Sequence, residues 1–214
     1  MGEIVLVRHG QANTHARTEA DYDRLSDLGH RQAEWLGEWL SQYDPAFDRV
    51  LSGSLRRHRE TATAMGRTEA EIDTRLNEMD YLNLGQALET SQGIPMPASD
   101  GFADHAPVVM RAWHAAEIQG DESFASFEAR VTSVLTEAAV PGRRILCITS
   151  GGVIGMALRH VLGLDAVRFA HVLLPILNTS VHRFHVRGDR TILSGFNAAP
   201  HLEGADRAYA RTHA

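Results

Sequence analysis

Ile4-Val5-Leu6-Val7-Arg8-His9-Gly10 opens the chain with an apolar run that stops on a cation, an imidazole and a glycine. A short strand, Ile4 to Val7, hands Arg8 and His9 together to a turn that glycine permits. The carboxyl end of a strand is where a parallel α/β sheet places its chemistry. The Arg8-His9 pair is therefore a candidate phosphate-handling nucleophile with its own cation.

Strand-like and helix-like segments alternate downstream. Gly29 to Tyr43 sets Ala33, Leu36, Leu40 and Tyr43 at steps of three and four, one face of an amphipathic helix that Asp44-Pro45 stops. Arg49 to Leu51 fits a second short strand, and Leu55 to Met65 a helix entered just after Ser52-Gly53-Ser54. Ser123 is placed to cap a helix with Phe124, Phe127, Val131, Leu135 and Ala138 inward, ended by Pro141-Gly142. Ile145 to Thr149 is apolar until its end, as a strand buried on both faces should be, and Ser150-Gly151-Gly152 leads from it into a helix through about Leu162. Ser180 to Val186 and Thr191 to Phe196 flank Arg187-Gly188-Asp189-Arg190 and read as a closing hairpin. Residues 85–120 carry Gly, Pro and Ser clusters with weak periodicity, which predicts an insertion folding over the site as a lid rather than a core layer. The small, charged tail 199–214 predicts loose chain.

Composition bounds the function. A chain of 214 residues suffices for one α/β domain with a proper core. A formal net charge of −6 with dispersed basic residues argues against nucleic acid or an anionic membrane as partner, so any anion site is a local pocket. Cys147, the single cysteine, lies in the apolar run Ile145 to Ile148. It leaves no intrachain disulfide and reads as a buried thiol in a reducing, cytoplasmic setting. The stretch Ile4 to Val7 is too short for a signal peptide, and no run approaches the roughly 20 apolar residues of a membrane span. Twelve histidines invite a metal reading, yet His182 and His185 fall in a strand without acidic or cysteine ligands at a recognisable spacing. Neither a metal nor a cofactor is expected.

Three strand-to-helix junctions carry polar residues: Arg8-His9-Gly10, Ser52 to Arg57, and Thr149 to Gly152. In an open α/β sheet they converge on one crevice, where an imidazole, guanidinium forks and helix N-terminal amides all suit an oxyanion. Leu6-Val7-Arg8-His9-Gly10-Gln11-Ala12 is followed in register by Leu25-Ser26-x-Leu28-Gly29-x-x-Gln32-Ala33, Ser54-Leu55-x-Arg57-x-x-x-Thr61-Ala62 and Leu76-Asn77-Glu78. With these motifs the chain resembles the histidine phosphatase superfamily, the group of cofactor-dependent phosphoglycerate mutases and many phosphomonoesterases, from Ile4 to about Phe196. The resemblance implies a three-layer α/β/α sandwich with a mostly parallel central sheet and a helical or loop insertion over the site, all within one domain spanning 1–214. It implies a phosphoric monoester hydrolase in which His9 attacks phosphorus and becomes a phosphohistidine. Arg8 and Arg57 would clamp the phosphoryl oxygens, and Glu78 would protonate the leaving oxygen. Arginine suits the clamp because it stays charged when desolvated and binds phosphate bidentately. His9 must attack as neutral imidazole, which two neighbouring cations favour. Glu78 must instead hold its proton, and Met79, Tyr81 and Leu82 would help by desolvating it. Asp80 is the rival acid. A small phosphorylated substrate and inorganic phosphate as product are the implied partners; oligomeric state is open.

The departures from the family pattern are equally specific. Ser150 stands where the family usually has a second histidine, in a His-Gly-Gly element that contacts the transferring phosphoryl group. A hydroxyl can still donate to phosphate beside the amides of Gly151 and Gly152, but the imidazole is gone. By analogy with a lost oxyanion donor, that absence costs on the order of 2–4 kcal/mol of transition-state stabilisation. His15 or His58 could compensate, and Ser150 reads equally well as a helix N-cap. His15 also replaces an asparagine that touches phosphate in mutase-like members, a role Asn13 could take. Mutases continue after Glu78 with Arg-His-Tyr, whereas this chain reads Met79-Asp80-Tyr81, so the hydrolase reading is preferred to a mutase-like phosphotransferase. The alternative is a degenerate member that binds phosphate or a phosphorylated ligand with little turnover. Trp113 and its apolar neighbours offer an organic leaving-group site, and Asp21-Tyr22-Asp23 reads as a solvated turn.

Overall fold

Inward side chains alternate along each central strand, and that alternation sorts the helices into two layers. The computed structural model of the protein describes residues 2–13, 19–98 and 101–213. Its sheet contains β1 (Gly2–Arg8), β2 (Arg49–Ser52), β3 (Glu71–Ile72), β4 (Arg144–Thr149), β5 (Val181–Arg187) and β6 (Arg190–Ala198) in the order β3-β2-β4-β1-β5-β6. The first four in that order run parallel, and β5 and β6 close the sheet antiparallel. Val5, Val7, Val50, Leu146 and Ile148 face one side and pack on α2 (Asp27–Tyr43) and α3 (Arg56–Ala64). Ile4, Leu6, Leu51, Ile145 and Cys147 face the other, with α6 (Phe124–Ala138), α7 (Gly151–Leu162) and α8 (Ala166–Leu173). The result is a three-layer α/β/α sandwich. α2 packs beside the end of β1 on one face and α7 leaves the adjacent end of β4 on the other, so the crevice between them is the topological switch point.

The short helix α1 (Glu19–Tyr22) follows β1, and α4 (Tyr81–Gln92) and α5 (Phe102–His114) occupy the region expected to be a lid. Their inner residues Leu84, Leu88, Val109, Met110 and Trp113 are fully buried in the larger core cluster. The insertion is therefore helical and joins the core, and among its described residues the helix starts, Tyr81, Leu82, Phe102 and Ala103, border the cavity described below. α5 keeps one buried face, His105, Ala106, Val109, Met110 and Trp113, although Pro107, a residue that disfavours helix interiors, lies within it. Trp113, expected at a leaving-group site, is core, with its indole N–H donated to Glu122 O. Tyr43 is 63% exposed and leans on Trp39, whereas the other three residues on its predicted face are buried.

The tail also departs from expectation. Ala199, Leu202 and Ala210 pack with Leu28, Trp35 and Leu177. Gln32 Nε2 donates to Ala210 O at 2.6 Å and to Thr212 Oγ1 at 2.9 Å, and Asn178 N donates to Thr212 O at 2.8 Å. These anchors are scattered single residues and backbone groups, which leave no periodic signal in sequence.

One close approach fixes the turn after β1. A Cβ on Gly10 would collide with the Gly29 carbonyl, and a Cβ on Gly29 would collide with Gln11 O. Ser26 Oγ caps α2 by accepting from Gly29 N at 3.0 Å and donates to Gln11 Oε1 at 2.8 Å, while Gln32 Oε1 accepts from Gln11 N at 2.8 Å. The motif Ser26-x-x-Gly29-x-x-Gln32 thus docks α2 onto the turn that carries His9. Gly29→Ala is expected to cost about 3 kcal/mol by backbone overpacking, lowering Tm by roughly 10 °C. Calorimetry of the variant checks this, and a Tm within 2 °C or so of wild type would contradict the docking argument.

Candidate active site

β1 ends by donating His9 N to Thr149 O at 2.8 Å, so the imidazole emerges at the carboxyl ends of the two central strands. His9 Nδ1 lies 2.7 Å from Gly10 O. A carbonyl only accepts, so Nδ1 carries the proton and Nε2 carries the lone pair. His9 is buried, and its pKa is held well below the ordinary histidine value by burial first, then by the charges of Arg57 and Arg8 and the neighbouring His58. The turn is locked through Thr61: Gly10 N donates to Thr61 Oγ1 at 3.0 Å, and that hydroxyl donates to Arg57 O at 2.7 Å. This is why Arg57 and Thr61 occur four apart, one turn along α3.

The two guanidiniums approach from different elements. Arg8 donates through Nη1 to Ile176 O and lies beside Tyr22 and Glu78, whose proximity partly offsets the lowering of its pKa by burial. Arg57 is buried, pairs with Asp23 Oδ1 at 3.1 Å and has the Tyr22 ring 5.2 Å from its Cζ. Asp23 also accepts Arg56 N and Arg57 N, capping α3. The Asp21-Tyr22-Asp23 stretch is therefore not a solvated turn: Tyr22 lines the cavity and Asp23 orients Arg57. Only tertiary contact reveals this.

Leu76-Asn77-Glu78 is fastened residue by residue. Leu76 is buried and its carbonyl accepts Thr149 Oγ1 at 2.6 Å; Asn77 Oδ1 accepts Ser54 N at 2.8 Å. Arg130, paired with Glu122, donates to the carbonyls of Arg75 and Asn77. Glu78 then faces the cavity, with Oε2 accepting Gly152 N at 3.0 Å and Oε1 accepting Met79 N at 3.1 Å. A Cβ at residue 152 would strike the Glu78 carboxylate, so glycine there is what lets the acid reach the first turn of α7. Asp80, the rival, instead caps α4 by accepting Asn83 N at 3.0 Å.

The remaining expected residues divide. Gly151 lines the cavity, where a Cβ would approach Leu173 and the Arg8 guanidinium. The Gly152 amide is committed to Glu78 rather than available to phosphate. Asn13 is not among the lining residues: its amide nitrogen donates to Asp21 O at 3.1 Å. Ser150 occupies the N-cap position of α7 without a side-chain capping bond. Its hydroxyl is fully buried, 2.6 Å from His58 Nε2, and the His58 ring centroid is 5.7 Å from that of His9. Ser150 therefore does not itself line the cavity. His15 lies outside the described residues. Among the described residues, no three His, Cys, Asp or Glu side chains gather as a metal-ligand set, and no helix is long and apolar enough to cross a membrane. The cavity in front of His9 measures about 690 Å³, the size of a pocket for an organic ligand rather than a bare anion.

A buried imidazole with two guanidiniums beside it stands at the switch point of an α/β sheet. The family model of the histidine phosphatase superfamily (branch 1) matches residues 4–199. The chain belongs to that superfamily. A 2,3-bisphosphoglycerate-dependent phosphoglycerate mutase from Rhizobium etli is 28% identical over 169 residues, covering 72% of this chain and 77% of the relative. The mitochondrial serine/threonine-protein phosphatase Pgam5 of Drosophila grimshawi is 31% identical over 96 residues, 44% of this chain and only 29% of its own length. Among solved structures, a mycobacterial glucosyl-3-phosphoglycerate phosphatase superposes with TM-score 0.62 at 25% identity, covering 92% of this chain and 98% of that one. An Entamoeba histolytica phosphoserine phosphatase, in complex with 3-phosphoglyceric acid, gives TM-score 0.66 at 19% identity over 94% and 100%, a likeness of fold.

Among the described residues, five buried imidazoles act on stability in the same direction. Burial lowers the pKa of His9, His58, His105, His182 and His201, with Arg57 assisting at His9 and His58, Arg8 at His9 and His182, and Arg207 at His201. His182 falls to about 3 and His201 to about 4. Unfolded, each takes a proton near pH 6.5. Between about 6.5 and 4 the unfolded chain binds more protons, so stability falls with pH, by up to about 1.4 kcal/mol per pH unit for each imidazole. A Tm series from pH 7 to 5 should fall steeply, and His201→Gln should make it shallower. An unchanged slope in that variant removes His201 from the account.

Proposed function

We propose that the protein is a metal-independent phosphomonoesterase working through a phosphohistidine on His9. The observation that carries this reading is the His9 Nδ1 to Gly10 O bond, which leaves an Nε2 lone pair beside Arg8 and Arg57 at the cavity wall. Nε2 attacks phosphorus as the ester P–O bond breaks; Arg8 and Arg57 hold the phosphoryl oxygens, and Glu78 gives its proton to the departing alcohol oxygen. Water then attacks phosphorus, the N–P bond breaks, and the water's proton returns to Glu78, releasing phosphate. Positioning and charge stabilisation are all this chemistry demands of the protein.

His58 and Ser150 complete the reading. His58 Nδ1 is buried with no hydrogen-bond partner among the described residues. An unbonded lone pair is more tolerable there than an orphaned N–H, which puts the proton on Nε2, donated to Ser150 Oγ. The Ser150 hydroxyl accepts that proton one residue before Gly151, so the His58–Ser150 pair acts on the cavity by positioning the start of α7 rather than by touching the phosphoryl group. An imidazole thus supports the site from α3 instead of standing at position 150.

His9→Ala should abolish turnover of p-nitrophenyl phosphate, and retained turnover would refute the mechanism. Ser150→Ala and His58→Ala should each lower kcat on the order of 10²-fold with little change in KM, and the double variant should be no worse than either. Ser150→His alone overpacks a filled site and should lower Tm, while adding His58→Ala vacates the room and should restore both Tm and turnover. Saturable phosphate binding with no turnover across a broad panel of esters would favour the degenerate, phosphate-binding reading.

A further inference from the structure

Among the described residues lining the cavity in front of His9, the acidic and basic side chains are Arg8, Arg57, Glu78 and the two histidines His9 and His213. Among the described residues lining it, the arginines are Arg8 and Arg57, and both flank His9, where the phosphoryl group would use them. The chain contains no lysine; its 21 basic residues are all arginine. Away from His9 the wall consists of Met79, Tyr81, Leu82, Phe102, Leu173 and Leu174. The Tyr81 hydroxyl is tied to His105 Nδ1 at 2.8 Å, and its ring packs on Phe102 with centroids 4.8 Å apart, so this pair offers aromatic surface. Leu82 remains 43% exposed, apolar surface left open at the cavity. His213 adds one hydrogen-bonding side chain.

We propose that the alcohol half of the ester is an uncharged apolar or aromatic group, and that alcohols bearing a carboxylate or a second phosphate are discriminated against. This rests on the phosphomonoesterase reading above. A second anion in this cavity would be desolvated against leucine, methionine and aromatic rings with Glu78 close by, and burying a charge without a partner is unfavourable. An apolar group instead covers Leu82, Phe102 and the leucines of the α8 end, with gain from every methylene. The broad size of the cavity fits such a group.

The test compares esters of primary alcohols, so that leaving-group reactivity is nearly matched: 2-(1-naphthyl)ethyl phosphate against 3-phosphoglycerate and phosphoserine. The aromatic ester should have a kcat/KM at least about tenfold higher, and Phe102→Ala should raise its KM on the order of tenfold while leaving that of methyl phosphate unchanged. Calorimetry on the wild-type protein, with 3-phenylpropylphosphonate against 4-phosphonobutanoate, reads the same preference without turnover. Preference for the aromatic phosphonate with no ester hydrolysed would support the pocket's selectivity and overturn the hydrolase reading. Equal or better use and binding of the carboxylate-bearing compounds would overturn the selectivity and leave the hydrolase reading intact.

Discussion

Gly10 and Gly29 touch backbone to backbone, and the geometry of the site is a consequence of that contact. With no Cβ on either residue, α2 can seat its first turn directly on the bend after β1, and Ser26, Gln11 and Gln32 close the hydrogen bonds that such a dry junction would otherwise leave unmet. The bend then has no freedom to shift His9. Thr61 holds it from the opposite side, and because the same hydroxyl grips Arg57 O, the positions of His9 and Arg57 are set by one linkage. A phosphoryl pocket needs its groups fixed relative to each other to fractions of an ångström. Here that precision comes from backbone contact, not from loops.

The electrostatics follow from the same rigidity. Two guanidiniums and an imidazole share a buried space, an arrangement that disfavours protonation of the imidazole. The cations are themselves supported: Arg8 by Ile176 O and Tyr22, Arg57 by Asp23. Asp23 both compensates Arg57 and accepts the first amides of α3, so one carboxylate orients a side chain and caps a helix. Glu78 is likewise fixed by two backbone amides, one from α7.

Much of this was legible in sequence, for a reason that differs by element. The strand Ile145 to Thr149 and the Ser123-capped helix announced themselves because continuous apolarity and 3.6-residue spacing are local signals, and the observed bounds differ by a residue or two. The motif around Gly29 and Gln32 was readable as a pattern while its meaning, contact with Gly10 and Gln11, required the third dimension. The burial of the tail and of the helices within residues 85–120 is not legible in sequence because it is supplied by partners distant along the chain: Gln32 and Trp35 for the tail, α6 and α8 for α5. Tyr22 and Asp23 were missed for the same reason, since a polar tripeptide carries no sign that an arginine 34 residues away will need it. α8 had a readable cap in Asp165, but it follows α7 across only Gly163 to Asp165, and one apolar stretch hides the break.

Ser150 shows how position and chemistry can separate. Judged by its place in the motif, it is a lost imidazole; judged by its neighbours, it is the contact point of an imidazole that arrives from α3. Both descriptions concern the same small volume, since a side chain larger than serine at 150 would enter the space His58 fills at 2.6 Å from the hydroxyl. A packed interior holds one ring there, whichever backbone it hangs from. The two positions are therefore linked by volume before they are linked by hydrogen bonding, and an account of either residue alone misreads the site. The direction of approach is what differs: a ring at position 150 would start from the N-cap of α7, whereas His58 comes from α3, meets the serine hydroxyl, and is buried with its pKa lowered by that burial and by Arg57.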